Sequence, residues 1–245
     1  MSTPLHKTRG IVLRSVKYGE SSMIVTVFTE LFGVQSYIVS GVRTSSKRSM
    51  GKGQFFQPAA ILDLVVYHND LKHLHRIREY HWHTIYDQLF SDVPRNTVAL
   101  FMVELLNKCL KQPEANTELY YFVEDIMKAL DKSSDAVMAN LPLFFTFHLC
   151  HFFGFRIDDN YSEINSVLDL QEGCFVSHRP MHSYFVDERS ALVSSQLLKV
   201  MQVNELEEVK LNATFRRNLL QQLEHFYAIQ DRKSTRLNSS HANIS

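Results

Sequence analysis

Residues 10–18 read GIVLRSVKY and residues 23–29 read MIVTVFT, and the period of two in both decides the fold of the first third of this chain. Short β-branched and aromatic runs of this kind turn one face to a core and the other to water, as a half-buried strand does. Residues 34–40 (VQSYIVS), 59–67 (AAILDLVVY) and 74–82 (LHRIREYHW) repeat the pattern. Between them stand Gly19-Glu20-Ser21-Ser22, Glu30-Leu31-Phe32-Gly33 and His68-Asn69-Asp70, the residue types that tight connections need. Most of these strands are joined without a helix-length segment, which predicts a small closed antiparallel barrel.

Beyond Trp82 the period changes from two to about 3.6. Residues 94–112 place Val98, Phe101, Met102, Leu105, Leu106 and Cys109 on one face, with Asp92 as cap and Pro113 as stop. Residues 117–131 do the same with Leu119, Phe122, Val123, Ile126, Met127 and Leu130. Residues 141–153, ending at Gly154, are apolar on most sides and predict a buried central helix. Two further helices are expected over 195–203 and 212–229. The irregular stretch 167–187 offers a small hairpin between CFVSH and HSYFV. The expected class is α+β: a five-stranded OB-fold barrel over residues 1–83, then an all-α helical bundle over residues 84–230. Residues 231–245 are set aside as a non-native or disordered tail, because DRKSTRLNSSH resembles the translation of a sequencing-library adapter.

A chain of 245 residues with 45% hydrophobic content can fill a real core. Cys109, Cys150 and Cys174 are odd in number and not closely paired, so a reducing compartment is expected rather than a disulfide framework. The opening residues are polar and basic, without the apolar core of a signal peptide. The longest apolar run, 141–155, falls short of the roughly 20 residues of a membrane span. These features predict a cytoplasmic protein with no membrane partner.

The formal net charge of zero conceals a division. Residues 1–80 hold eleven Lys or Arg against five acids, and residues 81–230 hold twelve against twenty. A basic first third on an acidic remainder points the first third at a polyanion. Residues 41–53, GVRTSSKRSMGKG, carry Arg43, Lys47, Arg48 and Lys52 among Gly and Ser with no acid. Such a loop suits a phosphate backbone, since counterion release favours each contact without any sequence code. Phe55 and Phe56 follow it. Their rings either close the barrel or stack on bases at ~1–3 kcal/mol each; Tyr18 and Tyr37 are weaker stacking candidates. Arg9, Arg14 and Lys17 on the opening strand complete the DNA-binding set, which is then Arg9, Arg14, Lys17, Tyr37, Arg43, Lys47, Arg48, Lys52 and Phe55. The bland alternative for the loop is a solvated surface segment.

Residues 8–33, TRGIVLRSVKYGESSMIVTVFTELFG, followed by a strand, a basic loop and a strand pair, resemble the opening of the RecO family of DNA-repair proteins. HLCHFFGFRIDD at 148–159 is similar to that family's helix ending in a Gly-Phe pair, and LDLQEGCF at 168–175 to the segment after it. The order and spacing of these matches span residues 5–230. The resemblance implies a recombination mediator rather than an enzyme. Such a protein binds single-stranded DNA, anneals complementary strands, works with RecR and contacts the acidic tail of single-strand binding protein. For that acidic, apolar tail, Arg156, Lys199, Arg216 and Arg217 are candidates by charge. Some relatives carry a four-cysteine zinc site; here Cys174 stands alone in the corresponding region, so no zinc and no cofactor is expected. Residues 41–49 depart from a phosphate loop in lacking Gly before Lys47 and in having Arg48 after it.

The rival reading is a metal-dependent enzyme built on paired histidines. His73 with His75, and His81 with His83, would each share one strand face, and His148 lies one helical turn from His151. No Asp, Glu or Cys nearby in sequence completes a ligand set. Nucleophilic catalysis lacks a Gly-x-Ser-x-Gly elbow, and Cys150 sits in the most apolar helix, where an unreactive thiol is expected.

Overall fold

The computed structural model describes residues 4–42, 51–110, 112–154, 156–224 and 226–227. The chain forms two compact units, Met1–Lys132 and Ser133–Ser245. In the first, β1 (Leu5–Tyr18), β2 (Ser22–Thr29), β3 (Gly33–Val39), β4 (Ile61–Tyr67) and β5 (Leu74–Trp82) close a barrel in the order β1-β2-β3-β5-β4. All seams are antiparallel except β3 with β5. The barrel and the helices after it bear out the predicted fold class.

β1 begins five residues before the apolar run that predicted it. Its first half pairs with β4, Leu5 opposite Tyr67, and its second half with β2, Tyr18 opposite Ser22. The early residues hide from an apolar pattern because the side chains turned inward are Thr8 and half-buried His6. A register shift between Val12 and Arg14 re-phases the strand, so that Gly10, Ile11, Val12 and Leu13 are buried in succession. Gly10 is required at this crossing, since a Cβ there would lie 2.5 Å from Val27 Cγ1. Val12, Val25, Val27, Tyr37, Phe56, Leu62, Leu64 and Val66 fill the interior.

Two helices complete this unit. Asp92 caps α1 (Val93–Cys109), its Oδ1 accepting from the Arg95 amide at 2.8 Å. α2 (Thr117–Lys132) buries Leu119, Val123, Ile126, Met127 and Leu130, as its stripe predicts, while Phe122 is half-buried. Asp131 near its end accepts the backbone amides of Asp87, Gln88 and Leu89 at 2.8–2.9 Å, tying the linker before α1 to α2.

The second unit is built on α3 (Asp135–Leu149), continued by a 3-10 turn, Cys150–Phe153, and stopped at Gly154 with φ 73°. The helix starts earlier than the apolar run suggests. Pro142 lies inside it, where a sequence reading places a start. Asp135–Phe153 is long and apolar enough to cross a membrane by length and composition, with more than half of that stretch buried within the protein. Buried Asn140 donates to the carbonyls of Leu206 and Val209 at 3.1 and 2.7 Å. The expected CFVSH–HSYFV hairpin does not form. β7 (Cys174–Val176) and β8 (Phe185–Val186) instead flank β6 (Val167–Asp169), which pairs with both. α4 runs Glu188–Lys199, and residues 213–224 and 226–227 are helical.

Candidate nucleic-acid interface

The sequence-derived cations divide by how their charge is spent. Arg9 grips both Glu30 oxygens at 3.1 Å, reaches Glu124 at 3.4 Å, bonds the Tyr121 hydroxyl and lies 4.9 Å from the Tyr121 ring centre. Glu124 is 1% exposed and also holds Lys128 and, at 3.2 Å, His83 Nε2. The Arg9 bond is the largest influence holding the Glu30 carboxyl below its ordinary range. Arg9 is therefore a tie between β1 and α2. Arg14, Lys17 and Lys52 are exposed and have no acid partner among the described residues. Arg43, Lys47 and Arg48 lie outside the described residues, as do residues 231–245.

The aromatic candidates are packed. Tyr37 is 0% exposed in the barrel interior, so its ring has no face to offer a base, and burial raises its phenol pKa far above the ordinary value. Phe55 stacks on Trp82 at 4.6 Å and meets Tyr80 edge-on at 5.2 Å, while Phe56 is fully buried. Of these rings Tyr18, 52% exposed, is the accessible one.

Strand register assembles a face that sequence reading missed. Arg14 pairs with Thr26, Thr26 with Ser36 and Ser36 with Leu74; the next row runs Val16, Ile24, Ile38, Arg76. These side chains alternate with buried Val25, Tyr37 and His75, so both rows lie on the outer surface of β1, β2, β3 and β5. An apolar stripe thus runs between exposed cations at its two ends. At the β5 end a cleft of about 400 Å3 is lined by Ile38, Tyr67, Asn69, Lys72, Leu74 and Arg76, above His75. Lys72 and Arg76 are exposed and without an acid partner among the described residues, whereas Arg78 pairs with Glu79 at 3.2 Å. The only signal for this face in the sequence is the outward alternation of β5; the neighbours it meets are set by register.

Two family models match the chain: Recombination protein O N terminal over residues 1–86, and Recombination protein O C terminal over residues 91–236. The chain belongs to the RecO family. Its relatives include the DNA repair protein RecO of Porphyromonas gingivalis, 30% identical over 225 residues that cover 90% of each chain. Those of Bacteroides fragilis and Azobacteroides pseudotrichonymphae are 29% and 26% identical, covering 92% and 91% of each chain. RecO membership places this protein in DNA repair and recombination.

In the second unit of this RecO protein, Arg156 pairs with Asp158 at 2.9 Å and Lys199 with Asp159 at 3.3 Å. Arg216 donates to the Leu211 carbonyl, and Arg217 is exposed. The histidine pairs separate. His73 is exposed before β5 begins while His75 is buried; His83 faces Asp63 and Glu124 while His81 is exposed; His148 faces the Leu197 carbonyl at 3.3 Å while His151 is exposed. Among the described residues no group of three or more His, Cys, Asp or Glu is placed to hold a metal. Burial pushes the Cys150 thiol up to about 12.

Proposed function

We propose that this chain is a non-catalytic, cytoplasmic recombination mediator that binds single-stranded DNA on its barrel, anneals complementary strands, and acts with RecR and single-strand binding protein. One observation carries the reading: Arg14, Lys17, Lys52, Lys72 and Arg76 are exposed on the barrel unit with no acid partner among the described residues. Exposed charge of one sign on a surface attracts a polyanion and speeds its association. Arg43, Lys47 and Arg48 belong to the same contact set, with Phe55 at its margin. Arg9 and Tyr37 act indirectly, by holding β1 and the barrel interior.

Phosphate contacts without a base-reading element leave base edges free to pair with a second strand, which supports annealing. The second unit is the surface for proteins. Arg156, Lys199, Arg216 and Arg217 are the cations for the acidic, apolar tail of single-strand binding protein.

The test is fluorescence anisotropy with labelled oligo-dT and a mixed-sequence oligonucleotide between about 50 and 200 mM salt. Similar affinities and a steep fall with salt are expected. The variant Lys47→Ala/Arg48→Ala/Lys52→Ala is expected to bind more weakly to both and with a shallower slope. Strong sequence preference, or affinity insensitive to salt, would sink the reading. Annealing of complementary oligonucleotides coated with single-strand binding protein, with and without this chain, tests the mediator role.

A further inference from the structure

We infer that the stacked rings of Phe32, His68 and His75 form a proton-operated latch at one end of the barrel. With His75 neutral the column holds the β3–β5 seam shut, and a proton on His75 lifts the β4–β5 turn and opens it. The seam is the barrel's parallel one and pairs only Ser36–Ile38 with Leu74–Arg76, whereas β2 and β3 pair over the whole of Met23–Thr29. Tyr37 and His75 are partners across it, both buried, with ring centres 5.8 Å apart. His68, in the β4–β5 turn, stacks on His75 at 4.6 Å and on Phe32 of the β2–β3 turn at 3.9 Å. His6 of β1 meets Phe32 edge-on at 5.2 Å. The column thus joins both turns at this end to the first residues of β1 and β5. Hydrogen bonds from His68 Nε2 to Asp70, and from the Leu71 and Lys72 amides to Asn69, all at 2.9 Å, shape the β4–β5 turn without fastening it to β3.

The column has the polar atoms that a proton switch needs. Tyr37 Oη, His68 Nδ1 and His75 Nε2 are buried with no hydrogen-bond partner among the described residues, although buried polar atoms are normally paired. A proton on His75 makes both ring nitrogens donors, and Nε2 has no acceptor to meet. The titratable and charged groups around it are Tyr37 of β3, His68, Asp70 and Lys72 of the turn, and His73 just before β5; His6 of β1 reaches it through His68. Burial is the main influence lowering the His75 pKa, with His68, Lys72 and His73 acting in the same direction and Asp70 against them. An imidazole lifted into water takes a proton near pH ~6.5, and the shut barrel resists it until lower pH, so acidification favours the lifted turn.

Hydrogen exchange of the full chain, corrected for intrinsic rates, reads the seam directly. Between pH about 7.5 and 5.5, the amides of residues 36–38 and 74–76 are expected to lose protection about five-fold more than those of the β1–β2 ladder. His75→Phe keeps a ring in the column and should abolish that difference, while His73→Ala, at an exposed neighbour, should retain it. Equal loss from both ladders in the wild type, or an undiminished difference in His75→Phe, would overturn the latch. If His75→Phe does not fold, proton NMR of the wild type decides instead. The pH midpoint of seam loosening should match the titration of the His75 Cε1 proton, and a midpoint that follows another histidine would overturn the assignment.

Discussion

Removing the Arg9 guanidinium would take one cation from the Glu124 carboxylate, which is 1% exposed, leaving Lys128 and His83 on it among the described residues. Both bonds to Glu30 go as well, while Lys128 still pairs with Glu124, so Arg9→Ala is expected to lose about 2 kcal/mol of stability in a urea titration. Oligonucleotide affinity of the folded variant should be nearly unchanged, unlike that of Arg14→Ala. The pH dependence follows from the same pair. Glu30 has a folded pKa lowered by Arg9, so its contribution is present above the unfolded value of about 4.3 and is lost as pH falls through the lower folded one. Acid unfolding curves of wild type and Arg9→Ala should therefore converge as the pH drops below that value. His75 has the same sign in a higher window. Desolvation lowers its pKa, so stability is lost as pH falls from about 6.5 through the folded value, and His75→Phe should flatten that slope. These roles were illegible in sequence. Arg9 and Arg14 look alike as cations on one strand, and only the approach of Glu30 and α2 separates them.

Elements in the first unit meet at two places that tolerate little change. Gly33, at the start of β3, has φ +63°, and a Cβ there would fall 2.2 Å from the Glu114 carbonyl oxygen. Gly33→Ala thus forces backbone apart as well as straining φ, and should lower the melting temperature by several degrees, equivalent to about 2 kcal/mol. At the other end of α2, burial opposes the charge on Asp131, but three backbone amides outweigh it and hold its pKa low. Asp131→Asn leaves fewer acceptors for those amides and is expected to cost about 2 kcal/mol in chemical denaturation. The glycine was legible as a turn residue, and the α2 stripe as a core face. Neither carried a sign of what would pack against it.

At the scale of the whole molecule, the family matches meet near residue 90, whereas the compact units meet at Lys132. Glu124 and Asp131 explain the difference, since both lie on α2 and satisfy groups in or next to the barrel. A fragment of residues 1–132 is expected to fold cooperatively and bind oligo-dT, while residues 1–86 should give a broad, destabilised melt by circular dichroism. Equal melting temperatures for the two would show that α1 and α2 are dispensable to the barrel.

Alternation of apolar and polar side chains is a local property, so the five barrel strands, their turns, the α2 stripe and the basic character of the first third were legible in the sequence alone. It also carried enough ordered motif to reveal the family. Register and proximity are not local. Only the folded chain decided that Arg9 is neutralised by Glu30 and Glu124, that Tyr37 faces inward, and that Ile38, Lys72 and Arg76 share one cleft. Each of these depends on which residues a strand or helix meets across space, and that is settled by closing the barrel and packing α2 rather than by any residue's own preference.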